Sequence, residues 1–77
     1  MDTILDILDE IKPGVDWRGR TDLVDGRELD SLTIISLIAE LEDAFDVVVP
    51  AVEIVPENFN SLEGIWALVR RLREQGL

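Results

Sequence analysis

Cysteine and histidine are both absent from this chain. Without cysteine there is no disulfide, no thiolate metal site and no thiol nucleophile. Without histidine the side chain best suited to proton transfer near neutral pH is gone. Lysine occurs once, at Lys12. A free-standing hydrolase or transferase is hard to build from what remains, so no catalytic residue is assigned. Any thiol chemistry must use a thiol imported on a prosthetic group. No apolar run approaches the length of a membrane span. Asp2 follows Met1 directly with no basic n-region, so no signal peptide is expected. The expected location is the cytoplasm.

What the chain has in excess is acid. Seventeen Asp and Glu stand against seven Lys and Arg, for a net charge of −10. That charge excludes nucleic acid, whose phosphates would be repelled. It favours partners with basic surfaces and fast, salt-sensitive association, and it also serves solubility. Apolar residues make up 47%, enough for a globular fold rather than a disordered tail. A length of 77 residues fits one domain, 1–77, with a small core.

The apolar spacing predicts helices. Over 3–11, Ile4, Leu5, Ile7, Leu8 and Ile11 recur at helical spacing, with Asp2 or Thr3 as cap. Pro13-Gly14 stops this helix. A long connection follows over 14–29, rich in Asp, Gly and Arg. Loops this long in a small domain pack their own apolar residues or carry a function. Trp17 and Leu23 are the expected anchors, with a short turn at 22–26. A second helix is predicted over 31–45 with Asp30 as N-cap. Ile34, Leu37, Ile38, Leu41 and Phe45 form its core stripe at about 100° per residue. Leu32, Ile35 and Ala39 form a separate apolar stripe beside Ser31, flanked by Glu42 and Asp43. That is more apolar surface than a simple amphipathic helix needs.

The run 46–50 is β-branched but has no partner strand, and Pro50 ends it. It is expected as a buried connector packing its valines between helices. A short irregular helix or single turns are expected over 51–59. The last helix should begin near Asn60 or Ser61, where Asn60 and Glu63 come close to a capping box. Leu62, Ile65, Trp66, Leu68, Val69 and Leu72 give its buried stripe, with Trp66 in the core or at its edge. Arg70, Arg71 and Arg73 suit its dipole, and Gly76 can end it. Three substantial helices and one short element predict an all-α bundle.

The most informative run is Asp30-Ser31-Leu32, at the start of the second helix. Leu37 follows six residues after the serine, then Leu41-Glu42, Phe45, Asp46 and Val49-Pro50. This pattern resembles the carrier protein family. In that family the serine bears 4'-phosphopantetheine, derived from coenzyme A, whose thiol holds an acyl or aminoacyl group as a thioester. The resemblance implies a four-helix bundle with a long first loop and a short third helix. Val49-Pro50, Glu53, Phe59, Asn60-Ser61 and Ile65 look most like the free-standing D-alanyl carriers. Short peptidyl carriers and discrete acyl carriers of polyketide or fatty-acid-type biosynthesis are also similar. Fatty-acid carriers, however, usually show a glycine shortly before the aspartate and acids early in the second helix. Here Glu28-Leu29 precede Asp30, and Thr33, Ile34 and Ser36 are uncharged.

The implied partners are a phosphopantetheinyl transferase acting with Mg²⁺, an adenylating ligase or acyltransferase, and a downstream acceptor enzyme. Ser31 would be the attachment point and Asp30 its motif partner and helix cap. A helix start offers free N–H groups and a positive dipole end to a phosphate. Leu32, Ile35 and Ala39 are the expected docking residues, with Glu42 and Asp43 as steering charges. A monomer is expected. An enzyme in its own right would have to use the carboxylates alone, and no pair can be singled out; two further rival readings come from other classes. One is an unmodified helical interaction module in which Ser31 only starts a helix. The other is a calcium site at Asp22, Asp25 and Asp30, whose spacing does not match an EF-hand loop, so no metal is expected.

Overall fold

A computed structural model describes residues 2–75. Helix α1 spans Asp2–Ile11 and buries Ile4, Ile7 and Leu8, with Leu5 and Ile11 at the edge of the core. Asp2 lies inside the helix, so neither Asp2 nor Thr3 caps it. The acid still sits in the first turn, where the dipole favours it. The helix ends where the sequence says it must. Gly14 has φ +88°, a left-handed conformation that costs an L side chain.

The segment 12–30 contains no helix or strand, yet it is deeply anchored. Trp17, Leu23 and Leu29 are almost wholly buried, so Leu29 joins the two expected anchors. Burying the indole requires a partner for its N–H. Trp17 Nε1 donates to Asp9 Oδ1 at 3.1 Å, across to α1. The expected turn at 22–26 is present: Gly26 N–H donates to the Asp22 carbonyl at 2.5 Å. A Cβ on Gly26 would collide with the Arg20 guanidinium and sit 2.8 Å from the Asp22 carbonyl, so the turn needs glycine there. Charges pin the rest. Lys12 reaches the Glu28 carboxylate at 3.4 Å, and Arg20 bridges Asp22 at 2.9 Å and Glu28 at 3.2 Å.

Helix α2 spans Ser31–Phe45, as the spacing predicts. Leu37 and Leu41 are fully buried, while Ile34, Ile38 and Phe45 are half-buried against the core. Asp46 closes the helix in a left-handed conformation, φ 54°, with its N–H bonded to the Glu42 carbonyl. No strand occurs among the described residues. The connector 46–50 buries Val47 and Val49, but Val48 faces out at 62% exposure. The alternation of an extended chain puts the middle valine on the solvent side, so only two of the three valines pack inward.

A 3-10 turn at Ala51–Glu53 leads to α3, Pro56–Phe59, whose proline sits at the helix start. Helix α4 spans Leu62–Glu74. Its cap is Ser61, whose Oγ accepts from Gly64 N–H at 3.0 Å. The expected Asn60–Glu63 box does not form, because the helix starts one residue later and Asn60 bonds elsewhere. The stop expected at Gly76 lies outside the described residues. Helix α1 packs on α2 and α4, α2 on α4, and α3 on α4, around one apolar cluster. Trp66 is at the edge of that core, its ring 6.3 Å from Phe45 and tilted by 56°. The result is an all-helical bundle of four α-helices among the described residues.

Leu23 has no exposed surface despite lying in irregular chain. Leu23→Ala should cost about 2 to 5 kcal/mol in urea denaturation, as for a core leucine. A loss below about 0.5 kcal/mol would show that the segment is only draped on the bundle.

Candidate functional site

Asp30 and Ser31 stand where irregular chain becomes helix. Asp30 is extended, φ −88° and ψ 179°, and its Oδ1 accepts from Thr33 N–H at 2.8 Å. That bond, helped by Lys12, holds the Asp30 carboxyl below the ordinary carboxylate range. The Asp30 side chain is thereby turned into the helix start as a cap. Ser31, the first helical residue, is exposed.

Two hollows meet at Ser31. The first is a groove of about 320 Å³ between α2 and the chain around α3. Ile34, Ile35 and Ile38 form one wall, and Ile54, Val55 and Phe59 form the other. Ser31 is the single polar residue in the lining, at its rim. The second hollow, of about 460 Å³, lies toward the preceding loop and includes Arg27, Asp30 and Ser31. Ser31 thus borders open space on two sides.

The far wall of the groove is braced from outside. Glu53 accepts from Arg71 of α4 at 2.8 Å, and Asn58 Nδ2 donates to the Glu53 carbonyl at 2.7 Å. These bonds lock the 3-10 turn to α4 and to α3, and so place Ile54 and Val55. In the sequence, Phe59 stands out through the family resemblance, and Ile54 only as an apolar residue in an irregular stretch. The available signal is that such residues recur through 51–59 without a strand or long helix to absorb them.

The expected docking residues are brought to one exposed strip. Leu32 is 77% exposed, Ile35 is 64% exposed, and Ala39 is exposed with them. Asp43 is also exposed. Glu42 is half-buried, and its Oε2 accepts from Val49 N–H at 2.9 Å. It therefore fastens the connector to α2, which leaves Asp43 the freer of the two charges. Sequence reasoning missed Val48 and Val52, the latter 82% exposed. Both lie between α2 and α3, and isolated surface valines give no periodic signal.

Asp22, Asp25 and Asp30 do not converge. Arg20 engages Asp22 and holds its carboxyl below the ordinary range, while Asp25 is bonded by Asn60. Among the described residues no group of three or more acids could hold a metal ion.

The profile of the phosphopantetheine attachment site family matches residues 3–72. The chain belongs to that family. No curated protein and no solved structure matches it. Members of the phosphopantetheine attachment family are carrier proteins: they bear 4'-phosphopantetheine covalently and hold substrates for other enzymes rather than catalyse. They work with phosphopantetheinyl transferases and biosynthetic enzymes. The local structure fits such a group. An exposed serine at the start of a 15-residue helix, beside two open hollows, leaves room for a phosphodiester and its arm. No helix among the described residues is long and apolar enough to cross a membrane.

The cap has a pH signature. Asp30's folded pKa lies below its unfolded one. Its contribution is therefore present above the ordinary carboxylate range and lost as pH falls through the folded value. Asp30→Asn should flatten the acid side of a plot of thermal midpoint against pH. Identical acid slopes in the two proteins would show that the Asp30 carboxylate does not cap α2.

Proposed function

We propose that Ser31 is the phosphopantetheine attachment point and that the chain is a one-domain aminoacyl carrier of the D-alanyl type. One observation carries the attachment: Ser31 is exposed on the first turn of α2, directly after a capping aspartate, at the rim of an apolar groove. The attached group supplies a terminal thiol that holds the cargo as a thioester. The chain's own residues do the rest. Asp30 fixes the helix start by holding Thr33 N–H. The free N–H groups and positive dipole end of α2 favour the phosphate charge. Leu32, Ile35 and Ala39 present an apolar strip to partners, and Asp43 with the overall −10 charge steers basic surfaces toward it.

The D-alanyl assignment rests on Val49-Pro50, Glu53, Phe59, Asn60-Ser61 and Ile65. A transferase using coenzyme A and Mg²⁺ would modify Ser31, an adenylating ligase would load the arm, and an acceptor enzyme would unload it. The protein would act as a cytoplasmic monomer. A second reading, an acyl carrier loaded by an acyltransferase, is favoured by the groove itself. Its lining offers hydrocarbon and one serine, with no carboxylate to pair the ammonium of an aminoacyl cargo.

Incubation with coenzyme A, Mg²⁺ and a broad-specificity transferase should add one phosphopantetheinyl group to the wild type. Ser31→Ala should add none while keeping the wild-type thermal midpoint. Modification of the Ser31→Ala protein would move the attachment elsewhere. Cargo is tested on the loaded forms. An octanoyl thioester that raises the thermal midpoint, beside an alanyl thioester that does not, selects the acyl reading. Equal midpoints, with loading by a D-alanine ligase, select the aminoacyl one. Leu32→Glu should weaken transferase binding about tenfold with less than about 1 kcal/mol lost in stability. A larger stability loss would place Leu32 in the core.

A further inference from the structure

Asn60 is bonded in a way that neither capping nor core packing requires. It lies between α3 and α4, at the end of the far wall of the groove. Its carbonyl accepts from Leu23 N–H at 2.8 Å. Its side-chain Oδ1 accepts from Val24 N–H at 2.9 Å and from Asp25 N–H at 3.1 Å. Its Nδ2 donates to Asp25 Oδ2 at 3.2 Å. Four bonds thus clasp it to a turn that is 35 residues away in sequence at Asp25.

The clasp leads to the serine. The Leu23 carbonyl accepts from Leu29 N–H at 2.9 Å, and Leu29 precedes Asp30-Ser31 directly. Val24 and Phe59, each adjacent to a clasped residue or to Asn60 itself, line the groove together with Ser31. Leu23, Leu29 and Phe59 are buried beneath. Asn60 is therefore the polar pin between the loop that delivers Ser31 and the wall that faces it. A smaller residue would leave the Val24 and Asp25 N–H groups without this acceptor and let the two sides slide. An amide is also the side chain that can accept two N–H bonds and still donate to a carboxylate.

We infer that Asn60 is a positioning residue for the modification of Ser31: by clasping the loop that delivers the serine, it sets where Ser31 and the start of α2 stand relative to the facing wall of Ile54, Val55 and Phe59. This rests on Ser31 being the attachment point. A displacement of about 1 Å at a reacting atom can slow a step by orders of magnitude, so a positional role shows in turnover. A merely destabilising change lowers the concentration of folded substrate, which raises the apparent KM and leaves kcat intact.

The test is the steady-state kinetics of phosphopantetheine transfer to the full chain, with carrier concentration varied, at a temperature where every variant is folded by circular dichroism. Asn60→Ala removes all three side-chain bonds. Asn60→Asp keeps both N–H bonds but sets a carboxylate against Asp25. The double variant Asp25→Asn with Asn60→Asp restores the pair with donor and acceptor exchanged. We expect kcat to fall about tenfold in both single variants with little change in KM, and to return to within about twofold of wild type in the double variant. Unchanged kcat in Asn60→Ala, a rise in KM alone, or a double variant no faster than Asn60→Asp would each overturn the positioning role. Ser31→Ala runs alongside. If it is modified, or the wild type is not, the attachment reading falls and takes this inference with it. Where wild-type modification is confined to Ser31, the kinetics of the Asn60 variants bear on the positioning role alone.

Discussion

The burial of Trp17, Leu23 and Leu29 is the constraint on which the rest of the molecule depends. These side chains lie in a segment without helix or strand, yet none is more than 1% exposed. Burying irregular chain is costly unless its polar groups find partners. Here they do. Asp9 takes the indole N–H, Asn60 takes the Leu23, Val24 and Asp25 N–H groups, and Lys12 and Arg20 hold Glu28. A loop that would otherwise sample many conformations is thereby fixed as part of the core. Its last residues hand Ser31 to α2 at a defined place.

That placement is what a carrier without cysteine or histidine of its own requires. It has only to present one hydroxyl, tolerate a phosphate and offer other enzymes a recognisable face. The cap at Asp30 leaves the adjacent serine open to solvent. The apolar surface of α2 divides in two, one stripe closing the core and another left outside at Leu32 and Ile35. The surplus of acid gives the chain a net charge of −10, the sign that complements basic surfaces. The groove between α2 and α3 adds an apolar surface next to Ser31.

The long helices are legible in the sequence because their signals are local. Asp30 before an apolar-periodic run fixes the start of α2, and periodicity separates Leu37 and Leu41 from Leu32 and Ile35. Trp17 and Leu23 stand out as anchors because large apolar side chains in a long loop have few other uses. The role of Asn60 is hidden because its neighbours favour a local explanation. A capping residue near Glu63 looks the same whether it bonds three residues ahead or to a turn far away in sequence. Glu42 is hidden in the same way, since an acid on a helix face gives no sign that a returning connector will present it with the Val49 N–H. The apolar residues of the groove's far wall are visible in the sequence, but their placement is not, because it comes from tertiary bonds between Glu53, Asn58 and Arg71 rather than from any repeat.

We place the carrier function at one serine. The chain has three serines, Ser31, Ser36 and Ser61, and all lie in or beside helices. Fragment-ion mapping of the wild-type protein after phosphopantetheinylation locates the group to a residue without any substitution. Every modified fragment should contain Ser31, and fragments holding only Ser36 or Ser61 should be unmodified. A phosphopantetheinyl group on either of those residues would contradict the assignment.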